Sequence, residues 1–140
     1  MDKFYTPVSQ IKLVMQSRGV ALAQPVRQDS ITNLRQIFPM ISNDFFEIFR
    51  EFDGFLPGQT DGASVIAVWG VDQIASYAKS SNIYHEDRIA FGDFMIGSEN
   101  ICCSASNLEN PVFLDESLYH LADSYFDFWY KICSGTLDFN

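Results

Sequence analysis

The sequence predicts an α+β domain with a mainly antiparallel sheet and helices packed on one face. Short β-branched and aromatic runs gather in the middle of the chain, while helical periodicities lie toward its ends. The length of 140 residues, 47% of them hydrophobic, suits one buried core and is too small for two. Aromatic residues make up 15% of the chain, so large rigid side chains are expected to dominate that core.

The first helix is expected to open at Thr6-Pro7, a cap followed by a proline at the first helical position. Val8, Ile11, Val14 and Met15 then recur at helical spacing, and Gly19 ends it. "VALAQPVRQ" is an extended linker, because Pro25 disfavours helical angles at Gln24. Asp29 or Ser30 caps a short second helix carrying Ile31, Leu34 and Phe38, which Pro39 closes. Residues 1–28 thus form an N-terminal helix and linker packed on a domain of residues 29–140.

"FPMISNDFFEIFREFDGFLPG" holds six of the 13 phenylalanines. Asp44 and Glu47 stand three apart, as in a capping box. Phe45, Phe49 and Phe52 form one helical stripe, widened by Phe46 and Ile48, and Gly54 supplies a left-handed C-terminal position. These rings read as core and not as a ligand groove.

"SVIAVWGV" reads as a strand and "DQIASYAKSS" as a short helix capped by Asp72. "RIAFGDFMIGSENICCSASN" suggests two strands with a turn or bulge at Gly92-Asp93 and a second break at Gly97. "PVFLD" and "SLYHLA" form a hairpin around Asp115-Glu116-Ser117. The last helix is capped by Asp123 or Ser124, carries Phe126, Trp129, Ile132 and Cys133 as its stripe, and ends at Gly135.

Charge is unevenly spread. Residues 1–50 carry a net +2, whereas from Glu51 onward only Lys79, Arg88 and Lys131 oppose fourteen acids, a net of −11. Such a field repels phosphate, which disfavours nucleic acid and anionic lipid and favours a basic protein partner. No secretory signal opens "MDKFYTPVSQ", and the longest uncharged apolar run, "GASVIAVWG", is about half the length that spans a bilayer. A soluble, cytoplasmic protein with neither nucleic acid nor membrane as partner is expected.

The residues offer little to chemistry. Cys102 and Cys103 are adjacent, so on a strand they point to opposite faces and suit one tetrahedral zinc poorly; one buried and one exposed thiol is expected. A thiol hydrolase would need Cys102 or Cys103 beside His85 or His120, and nothing in the spacing brings them together. "GFLPGQTDG" lacks the lysine of a phosphate loop, and "EFDGFLPGQTDG" lacks the alternating acids of a calcium loop. Neither metal nor cofactor is expected. Asp53, Asp61, Glu86, Asp87, Asp93 and Glu99 remain as a polar edge.

"ITNLRQIFPMISNDFFEIFREFDGF" resembles the opening signature of the SMI1/KNR4, or SUKH, superfamily. Phe38-Pro39 stands where the family has Leu-Pro, and Asp53-Gly54 matches the pair closing its aromatic helix. Gly92-Asp93 in "RIAFGDF", Pro111-Val112 with Asp115, and "LADSYFDFW" are similar to three further motifs in the same order. The resemblance covers about residues 31–136 and implies an α+β fold and a non-enzymatic binding role. Bacterial members of this kind are immunity proteins that neutralise a secreted toxin. The expected interface therefore comprises Asp53, Asp61, Glu86, Asp87, Asp93 and Glu99, with Phe55 or Tyr84 as exposed aromatic anchor. A regulatory or scaffold module in cell-envelope synthesis is the alternative.

Overall fold

The computed structural model describes residues 8–80, 87–94, 99–106 and 109–137. The described residues form one α+β unit with five helices, α1 (Val8–Ser17), α2 (Gln28–Ile37), α3 (Asn43–Phe49), α4 (Val71–Ser80) and α5 (Tyr125–Ser134). The strands are β1 (Ile66–Val68), β2 (Arg88–Phe94), β3 (Glu99–Ser104), β4 (Val112–Leu114) and β5 (His120–Ala122). They pair antiparallel in sequence order, β1-β2-β3-β4-β5.

Alternation along the strands assigns the sheet's two faces. Ile89, Cys103, Val112 and Ala122 share one row, and all are buried in the main core. Ala90, Cys102, Phe113 and His120 fall on the other face. The register shifts between Ala90 and Gly92. Phe91 points inward with Ile89 by ordinary alternation, its ring 5.2 Å from Tyr125, 5.4 Å from Phe128 and 6.2 Å from Phe45, and the bulge leaves Gly92 buried directly after it.

All six phenylalanines between Phe38 and Phe55 are buried. Phe45 lies 4.6 Å from Tyr125, and Phe52 packs edge-on to Trp129 at 5.8 Å. The aromatic stretch therefore fills the core. The stripe on α5 is rotated from the expected one: Tyr125, Phe128, Trp129 and Ile132 are buried, whereas Phe126 and Cys133 are half-buried. Five of the first six residues of α5 are aromatic, so periodicity alone does not choose its inner face.

Helix ends also depart from expectation. Arg27 and Ser42 occupy the positions before α2 and α3, with no side-chain cap, and Asp29 and Asp44 lie inside the first turns. At α4 the capping acceptor comes from elsewhere, since the Val71 N–H donates to Asp53 Oδ1 at 2.8 Å. Ser124 caps α5 as read, accepting from the Asp127 N–H at 3.0 Å, and Gly135 closes it at φ 73°. Ile11 and Met15 of α1 are buried in the core, and Arg18 Nη2 donates to the Cys133 carbonyl at 3.2 Å.

Candidate functional site

Four segments meet at one end of the sheet. Ile66 opens β1 opposite Phe94, which closes β2, and Phe94 pairs in turn with Glu99 at the start of β3. Beyond β4, the Asp115 N–H donates to the Asn100 carbonyl at 3.0 Å. This register brings Asp93, Glu99, Asp115 and Glu116 to the same end.

Hydrogen bonds hold these acids in place. Glu99 Oε2 accepts the Glu116 N–H at 2.9 Å and the Ser117 N–H at 2.7 Å, clamping the β4–β5 turn to β3. The turn closes on itself through Leu118 N–H to the Leu114 carbonyl and Leu114 N–H to the Tyr119 carbonyl, each 2.9 Å. Arg88 donates to Asp115 Oδ1 at 2.7 Å, and that bond holds the guanidinium pKa above its usual value. Asp93 Oδ2 accepts from the Trp69 indole at 2.9 Å, and Asn100, its cross-strand partner, donates to the Tyr77 hydroxyl at 2.8 Å. Neutral donors fix Asp93 and Glu99 without cancelling their charge, whereas the Arg88 guanidinium offsets the charge of Asp115.

Two apolar residues at this end adopt left-handed backbone. Val65, immediately before β1, has φ 60° and is 39% exposed; Leu118 in the β4–β5 turn has φ 60° and is 60% exposed. Left-handed backbone costs such residues about 1–2 kcal/mol. Val65 is held by its N–H bond to the Asp61 carbonyl at 2.7 Å. Asn110, the third non-glycine residue of this kind among those described, is buried and is a type that tolerates the conformation.

The expected interface residues do not form one patch. Asp93 and Glu99 lie together at the sheet end. Asp87 is exposed at the other end of β2, about 20 Å from Asp93 at the usual rise per residue. Asp53 is half-buried as the cap of α4; burial raises its carboxyl pKa, the Val71 N–H bond opposes this, and Asp72 adds to it. Tyr84 and Glu86 lie outside the described residues.

Two candidates are corrected. Phe55 is buried against Trp129, with ring centroids 6.3 Å apart, because its N–H donates to the Val68 carbonyl and draws the ring inward beside β1. It is no exposed anchor. Asp61 is fully buried and ion-paired with Arg18 at 3.0 Å, and it also accepts from Ser64 Oγ at 2.6 Å. Its carboxylate is an internal tie between the loop before β1 and the end of α1, and it offers nothing to a partner. Sequence reasoning missed Val65, Leu118 and Glu116; a turn is legible in "DGAS" and "DES", but the sign of φ at the following residue is not.

Both adjacent cysteines are buried, against the expectation of one exposed thiol. Cys103 sits in the main core, while Cys102 on the other face is covered beside Arg88 and Asp115. Burial is the main force raising both thiol pKa values, with Asp115 adding to it at Cys102. Phe113 lies between Cys102 and His120 in the cross-strand row, and His120 pairs with Asp123 at 2.9 Å. His85 lies outside the described residues. Among the described residues no group of three His, Cys, Asp or Glu side chains is arranged to hold a metal, and no helix is long and apolar enough to cross a membrane.

No protein-family model and no curated protein sequence matches the chain.

Proposed function

We propose that this protein is a non-enzymatic immunity protein of the SMI1/KNR4 type, which binds a basic toxin domain one to one in the cytoplasm and occludes it. The observation that carries the reading is the cluster of acids at one end of the sheet, where hydrogen bonds hold the Asp93 and Glu99 carboxylates and Glu116 is exposed beside them. The chain beyond residue 50 carries the same sign, a net of −11. A rigid acidic surface steers a basic partner toward it and loses little entropy on docking. The buried aromatic stretch supports a protein surface over a small-molecule groove, since its rings are spent on the core.

Growth of a host expressing the gene immediately upstream, with and without this chain, tests the reading. Killing by the neighbour and rescue by this protein are expected, with association slowing as ionic strength rises. A harmless neighbour, or killing that this protein leaves untouched, defeats it.

A further inference from the structure

We draw no further inference here: the strongest candidate, the patch on the second face of the sheet where Ala90 and Phe113 are half-buried beside the Arg88–Asp115 pair, carries none, because nothing in the structure shows what covers it.

Discussion

Arg88 reaches diagonally across β3 to Asp115, with Nη1 2.7 Å from Oδ1, and its guanidinium lies over the Phe113 ring at 5.6 Å from the centroid. The pair roofs Cys102 and fixes the base of the β4–β5 turn. It therefore links the cover of the sheet's second face to the placement of Leu118.

Arg88→Lys is expected to lower stability by about 1–2 kcal/mol although charge is kept, because lysine reproduces neither the guanidinium held over Phe113 nor its directed bond to Asp115. Urea unfolding measures the loss. An unchanged midpoint would show the ring contact and the directed bond to be without consequence.

Gly54 and Gly135 share left-handed backbone, at φ 75° and 73°, but not their surroundings. A Cβ on Gly54 would sit 2.6 Å from the Trp69 backbone, whereas nothing lies within 4 Å of one on Gly135. Gly135→Ala should cost about 1–2 kcal/mol from conformation alone. Gly54→Ala should cost about 3 kcal/mol or more, since overpacking adds to strain. Equal losses in thermal melts of the two variants would remove the close approach as a cause.

These contrasts indicate what sequence could reveal. Alternating runs and turn residues defined the strand region and the hairpin around Asp115-Glu116-Ser117, because those signals are local. The aromatic stretch from Phe38 to Phe55 was legible as core because its helical stripe had nowhere else to go. The inner face of α5 was not, since aromatics surround its first turns. Asp53 and Asp61 looked like surface acids because their partners, the Val71 N–H and Arg18, lie 18 and 43 residues away. One of the two adjacent cysteines was expected to be exposed, but the cover of Cys102 comes from Arg88 on β2 and Asp115 just past β4, which are distant in sequence. Val65 and Leu118 owe their backbone to how two turns close, which no single residue type announces.

Asp53 gives the fold a pH dependence of definite sign. Its folded-state pKa is raised, chiefly by burial, so the folded protein holds that proton more tightly than the unfolded chain does. Its contribution is therefore fully present below the usual aspartate pKa and is lost as pH rises through the raised folded value. Asp53→Asn keeps an acceptor for the Val71 N–H and removes the charge. It should match or exceed the parent at neutral pH, and the parent should gain on it as pH falls toward 4. Asp53→Ala, with no acceptor, should lose about 1 kcal/mol. Urea midpoints of the three proteins between pH 4 and 7 check this, and a parent that loses ground to Asp53→Asn on acidification would reverse the sign.

Arg18 and Asp61 should respond unequally to truncation, because only one of them is fully buried. Their side chains are 23% and 0% exposed, and Asp61 Oδ1 has no hydrogen-bond partner among the described residues. Arg18→Met leaves a buried carboxylate held by Ser64 alone, a loss of about 3–5 kcal/mol by the usual cost of stranding a buried charge. Asp61→Ala leaves a guanidinium that already touches water and still donates to the Cys133 carbonyl, so about 1–2 kcal/mol is expected. Removing both charges, as Arg18→Met with Asp61→Leu, should recover much of the larger loss, because the stranded carboxylate is gone. Urea unfolding of the two single variants and the double variant measures the coupling. Equal single losses that simply add would mean that Arg18 and Asp61 stabilise the fold independently, and that the end of α1 is held by its apolar contacts alone.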